Sequence, residues 1–523
     1  MGNILLDAMK AENNFNYTDN GALAHKSTGT AVYDLYALGG AYRKRSDEDC
    51  ILLFRKAFDE NQSYALKCLF YLRDVRGGIG ERRFFRICMR DLISYNQDAA
   101  ARNIQHISEF GRWDDLIEIT YRTSLWANAV GIIKEQLAMD MASYMTSDKT
   151  PVSLLAKWMP SENTSSKKTC SIANDLRKAL RMSHKQYRKT LSMLRTRINI
   201  VEKLMSAGQW DKIEFDKLPS KAGKIYKKAF IRHDLQRVEQ NKEVRSYEDF
   251  AKDKNTKVNA GTLYPYECVA EALKTFRTGY YYNTKLPALD DTNRLMVNKY
   301  WDNLTDYFNG ATLNALCMID TSGSMVHNDA AAPINVAISL GLYCAERAGG
   351  PFANHYISFS STPQLIATEG VDFVDKVYRI YKTNLCQNTN LEAGFNMLLN
   401  TAIVNKCSQD DMPQNIIVIS DMQIDEGSEM RRSYWDTRNY DYKARTKTMM
   451  ENMRVRYAAS GYKLPKLIYW NVDAKNDTIL DDGPDVTYVS GFSAQIFEQI
   501  MTGKTGIDLM LDKLNSDRYA VIC

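Results

Sequence analysis

Asp320, Ser322 and Ser324 stand together as D-T-S-G-S, directly after the apolar run Ala315–Ile319. A carboxylate and two hydroxyls in one tight loop are hard oxygen ligands. Mg2+ prefers that set and keeps coordination positions open for water or a partner. The apolar run reads as a buried parallel strand, so these oxygens would leave its C-terminal end. A second such run, Asn415–Ser420, also ends in a carboxylate, Asp421. The polar loop Cys386-Gln387-Asn388-Thr389-Asn390 precedes a helical pattern and offers another hydroxyl. Asp320, Ser322, Ser324, Thr389 and Asp421 are thus expected to converge from three loops on one divalent cation, Mg2+ or another. Asp425 and Glu426 read as solvated carboxylates near the rim. None of the ten cysteines forms a C-x-x-C pair, and the six histidines lie far apart. A zinc site or a disulfide framework is therefore not expected, and a reducing, cytoplasmic compartment is.

The elements that must position these oxygens follow from the periodicity. Strands are predicted at 313–319, 354–360, 415–420, 466–472 and 486–489. Helices are predicted between and after them, at 331–347, 370–381, 391–404, 441–459, 493–501 and 505–515. Such alternation predicts a doubly wound, Rossmann-like sheet over 310–523, with ligands bound outside the carboxyl ends of its strands. Residues 31–305 read as pairs of short helices joined by polar turns, a HEAT-like α-solenoid whose ring closure is left open. Ser46–Asp49 and Ser183–Gln186 are predicted helix starts. Residues 1–30 are a polar segment. Gly21–Ser27 lacks the glycine that a phosphate loop needs before its lysine, where His25 stands. No apolar run approaches the ~20 residues that span a membrane, and Met1–Leu6 carries neither a signal-peptide nor a myristoylation pattern.

Net charge is +5, unevenly spread. Residues 151–260 hold 25 Lys and Arg against 12 Asp and Glu, whereas 301–523 hold 19 against 27. A basic middle region is a candidate surface for a polyanion. Two clusters stand out. Arg73, Arg76, Arg82, Arg83 and Arg86 surround the glycine turn Gly77-Gly78-Ile79-Gly80, where arginine and exposed backbone N–H groups suit phosphate. Arg177 and Arg181 form one patch of the second cluster, and Arg188, Lys189 and Arg195 the other, separated by the predicted helix start at Ser183. Trp113, Trp158 and Trp210 are read first as core and second as stacking platforms for bases. Nothing in the chain pairs a nucleophile with a base, so catalysis is not expected.

The D-x-S-x-S loop followed by Thr389 and Asp421 resembles the metal-ion-dependent adhesion site of the von Willebrand factor A family, except that Asn390 stands where that family often has Asp. A helical array ahead of an A-type domain resembles the Ro/TROVE family of RNA-binding proteins. Thr18–Ala22, Arg73–Arg82, Ala156–Ser161, Tyr187–Lys189 with Leu194-Arg195, and Ile419–Met422 are similar to segments of the uncharacterised TROVE-related family of plants, bacteria and viruses. This resemblance implies a helical module that binds small or single-stranded RNA. It also implies an A domain whose cation accepts a carboxylate from a protein partner, with virion association if the source is viral. The alternative is a metal-dependent protein adaptor or viral structural component without RNA binding.

Overall fold

The computed structural model describes residues 14–147, 150–198, 200–273, 291–326, 331–358, 362–383, 390–424, 449–480, 483 and 485–523. The chain divides into two compact units: Met1–Cys68 with Leu263–Ser516, and Leu69–Thr262 with Asp517–Cys523. The chain crosses between them after Cys68, after Thr262 and after Ser516.

The first unit is built on a six-stranded sheet. Its strands are β3 (Ala315–Ile319), β4 (His355–Ser358), β5 (Leu365–Ala367), β6 (Asn415–Ser420), β7 (Lys466–Asn471) and β8 (Val486–Ser490). Their spatial order is β5-β4-β3-β6-β7-β8. All pairings are parallel except β4 with β5. The order runs outward in both directions from β3, as in doubly wound sheets, so the topological switch point lies between β3 and β6. Both strands are buried almost throughout, which is why each reads as an unbroken apolar run. Five strands lie close to their predicted positions. The sixth, β5, is the three-residue edge strand Leu-Ile-Ala, too short to stand out as a strand by its pattern. Helix Pro333–Arg347 starts on a proline and packs over β3 and β6. Gly341 permits that approach, since a Cβ there would lie 2.3 Å from Ile319 Cδ1.

The N-terminal residues also join this unit. β1 (Phe15–Tyr17) and β2 (Leu23–His25) form a hairpin inside the polar segment 1–30. Its β2 bridges Ile479 through His25, with backbone bonds of 2.7 and 2.9 Å. Helix Ala31–Leu38, expected in the solenoid, packs instead on β8. There the Tyr488 N–H donates to the Tyr33 hydroxyl at 3.0 Å, and the Gly40 N–H donates to Ser490 Oγ at 3.0 Å.

The second unit is helical, as expected for the middle of the chain. Its members include helices Arg82–Tyr95, Trp113–Thr120, Trp126–Thr146, Lys167–Ala179, His184–Arg197 and Ser220–Arg232. Ser183 caps the fifth of these through a capping box with Gln186, so the basic stripe is broken there as its sequence predicts. The aromatic edges of Phe85 and Phe110 meet Phe70 in the core at centroid distances of 5.2 and 5.4 Å. The last seven residues of the chain close this unit. Arg518 grips Asp74 with two nitrogens, one at 2.7 Å, while the Tyr519 hydroxyl donates to Asp74 Oδ2 at 3.0 Å. The Cys523 N–H donates to Asn103 Oδ1 at 3.0 Å.

Candidate metal centre

Asp320 and Asp421 leave the C-terminal ends of β3 and β6, the two strands that flank the switch point. Ile319 pairs with Ile419, so Asp320 stands opposite Ser420 and one position from Asp421. The Asp320 N–H continues the ladder to the Ile419 carbonyl at 3.0 Å. Both carboxylates are buried, at 0% and 1% exposure. That burial is what makes their chemistry specific.

Asp320 Oδ1 accepts the Ser322 N–H at 2.9 Å, closing the tight turn that carries the two serines. Its Oδ2 accepts the Ser420 hydroxyl. Ser322 Oγ and Ser324 Oγ lie 3.0 Å apart and are hydrogen-bonded to each other. On the facing loop, Asp421 Oδ1 accepts the Gln423 N–H at 3.2 Å, around a left-handed Met422 (φ 62°). Asp421 Oδ2 is different. It is buried and receives no hydrogen bond, and the Lys475 ammonium lies 2.8 Å away, out of hydrogen-bond alignment. Burial, with the Asp421 charge as the next cause, pushes the Asp320 carboxyl up to about 6. Two carboxylates brought together out of water favour a cation between them.

Two carboxylates ringed by small hydroxyls make a hard oxygen donor set, which suits Mg2+. Among the described residues no three His, Cys, Asp or Glu side chains gather as a metal cluster, so hydroxyls would have to complete any coordination. Hydrogen bonds link Asp320 to Ser322 and Ser322 to Ser324, and the Asp421 charge lies beside Asp320 at the strand ends. Thr389, Asp425 and Glu426 lie outside the described residues.

Sequence reasoning missed the supports. Ser420 binds Asp320 from the adjoining strand. Thr18 donates its hydroxyl to the Ile424 carbonyl at 2.6 Å. The Asp19 N–H and the Asn20 amide reach Gln423 at 2.8 Å each. The β1–β2 hairpin therefore holds the loop that carries Asp421. The only sequence signal for this was the polar Thr18-Asp19-Asn20-Gly21 turn, which carried no information about its partner.

The basic candidates fall into two groups. Arg73 is buried and gives Nε and Nη2 to Asp115 at 2.9 and 2.6 Å. Arg86 joins the same pair through Asp115 Oδ1 at 2.6 Å. Arg177 donates to Glu162 at 3.0 Å and to the Met182 carbonyl at 2.9 Å. Arg195 spends its guanidinium on the Ala156 and Met159 carbonyls and Ser161 Oγ, each at 2.8 Å. The glycine turn faces inward: Gly77 is buried, and a Cβ there would meet Arg518 at 2.8 Å. By contrast Arg82, Arg181, Arg188 and Lys189 are exposed, and Arg83 is half-buried. Arg76 is exposed and donates to the Glu109 carbonyl. Of the tryptophans, Trp210 is covered by His233 at 4.1 Å and Trp158 by the Arg112 guanidinium at 4.1 Å.

Comparison with known proteins gives relatives of the whole length. Residues 18–129 and 120–310 match the family described as Domain of unknown function (DUF2828), and residues 314–518 match Domain of unknown function (DUF7788). The uncharacterized protein L728 of Acanthamoeba polyphaga mimivirus is 29% identical over 94% of this chain and 85% of its own length. The crystal structure of the Deinococcus radiodurans RO (RSR) protein aligns over 93% of this chain and 99% of its own, at 12% identity and a TM-score of 0.40. At that score the alignment records a general likeness and nothing finer. Among the described residues no helix is long and apolar enough to cross a membrane.

Proposed function

Since the chain belongs to the family described as Domain of unknown function (DUF2828), a description that states no activity, we propose a function from its own residues: a non-catalytic, two-part binding protein. Its sheet unit would hold a divalent cation, Mg2+ or a similar ion, at an adhesion site of the von Willebrand factor A type. Its helical unit would bind RNA, small or single-stranded, in the manner of the Ro/TROVE family.

The observation that carries the cation half is the meeting of buried Asp320 and Asp421 at the switch point, where Asp421 Oδ2 already faces a cation, the Lys475 ammonium, at 2.8 Å. Asp320, Ser322, Ser324 and Asp421 would hold the ion, with Thr389 the fifth candidate. A bound divalent ion would supply an open coordination position for a carboxylate of a protein partner. The chain's own residues orient the oxygens: the Ser322 N–H and Ser420 hydroxyl fix Asp320, and the Gln423 N–H fixes Asp421. Mn2+ titration followed by electron paramagnetic resonance tests this half. Wild type is expected to bind one ion, and Asp320→Asn none; a wild type that takes up no Mn2+ ends the reading.

The RNA half rests on charge. The basic excess of residues 151–260 lies wholly inside the helical unit. Arg181, Arg188 and Lys189 expose cationic side chains there. Phosphate contacts of this kind bind without sequence choice and weaken steeply with salt. Filter binding of a labelled single-stranded RNA from 50 to 300 mM salt should show that fall, and no retention at the lowest salt rejects it. One observation favours the rival adaptor reading: Arg73, Arg177 and Arg195 are committed to internal bonds, which leaves a smaller basic surface than the sequence offers.

A further inference from the structure

The Lys475 ammonium sits 2.8 Å from Asp421 Oδ2, the one oxygen of the two buried carboxylates that no hydrogen bond satisfies. Lys475 follows β7, on a loop whose backbone is tied down on both sides. Arg45 Nη1 donates to the Lys475 carbonyl at 2.5 Å. The neighbouring Asn476 amide donates to Asp19 Oδ1 at 2.8 Å. Asp473 pairs with Lys44 at 3.2 Å, and Arg45 with Asp477 at 3.4 Å. About a third of the Lys475 side chain (31%) faces solvent.

An ammonium and a divalent ion ask for the same place on a carboxylate. Held in the low-dielectric mouth of this site, they would repel each other strongly at ligand distances. The four-carbon stem of lysine lets the charge leave for water without moving the backbone. We propose that Lys475 is a built-in counter-ion for Asp421, one that fills the cation position when the divalent ion is absent and must swing into solvent before that ion can bind. This rests on the cation reading of the Asp320–Asp421 site. Its consequence is a site whose divalent affinity is deliberately moderate and whose occupancy frees a lysine amine.

The test uses the full-length chain, freed of metal by chelation, and Mn2+ as the probe. Isothermal titration should give Lys475→Met an affinity about tenfold tighter than wild type, the effect of ~1.4 kcal/mol of lost competition. Labelling wild type with an amine-reactive ester, read by peptide mass spectrometry, should show Lys475 modified several-fold faster once Mn2+ is added. Equal or weaker Mn2+ binding by Lys475→Met, with wild type binding one ion, overturns the counter-ion role and leaves the cation site standing. No Mn2+ uptake by either protein overturns both. Should Lys475→Met not fold, the labelling rate of wild type decides alone, and a rate unchanged by Mn2+ rejects the proposal.

Discussion

Arg73 and Asp115 form a pair at 2% and 0% side-chain exposure, and such a pair is costly to break from one side. Arg73→Ala leaves the buried Asp115 carboxylate to Arg86 and the Arg112 N–H and should lower stability by about 1–3 kcal/mol in urea unfolding. Arg181→Ala, on an exposed residue, should move stability by less than about 0.5 kcal/mol and weaken RNA retention. Burial pushes the Asp115 carboxyl up, but Arg73 and Arg86 outweigh it and hold the group below the usual carboxylate range. A depressed carboxylate contributes stability that is fully present above its unfolded value, ~3.9, and is lost as pH falls through the folded value. The stability gap between wild type and Asp115→Asn should therefore narrow below about pH 4. Clustering at a glycine turn marked Arg73, and a place in a basic helical patch marked Arg195, as phosphate candidates. A count of arginines cannot separate those facing water from those whose donors are consumed by carbonyls and carboxylates folded in from 34 to 42 residues away.

The sheet was legible because its central strands are buried on both faces, which forces apolar runs long enough to see. Asp320 and Asp421 were legible for the same reason: each interrupts such a run at its end. The supporting hairpin was not, since β1 and β2 are three residues each and the turn between them bonds to residues about 400 positions away. Pattern gives period, not the partner of a segment. Two element-level predictions follow from close contacts. Thr18→Val removes the donor to the buried Ile424 carbonyl and the acceptor for the Ala22 N–H. It should cost about 1–3 kcal/mol and also weaken Mn2+ binding, although Thr18 touches no candidate ligand atom. Loss of stability with unchanged Mn2+ affinity would show that the hairpin does not position Asp421. Gly341→Ala drives a methyl into Ile319 just before Asp320, and thermal melting should report a loss of about 1–3 kcal/mol from overpacking.

At the scale of the molecule, the chain passes between its two units after Cys68, after Thr262 and after Ser516. Deleting 517–523 removes Arg518 and Tyr519 from Asp74, a carboxylate with no exposure. Hydrogen exchange should then quicken across residues 69–73 and helix Arg82–Tyr95, with the sheet unit unaffected. A fragment of 310–523 alone lacks helix Ala31–Leu38 and leaves the β8 face uncovered. It should bind a hydrophobic dye, whereas the full chain does not. The bond from the Tyr36 hydroxyl to Gln499 joins residues 463 positions apart. At roughly 5–20 residues per second, a ribosome takes roughly 20 to 90 s to travel that distance. Helix Ala31–Leu38, with six of its eight residues destined for burial, stays without that partner throughout the interval. Over that interval the apolar face of this helix has to be kept from water by something other than its native strand.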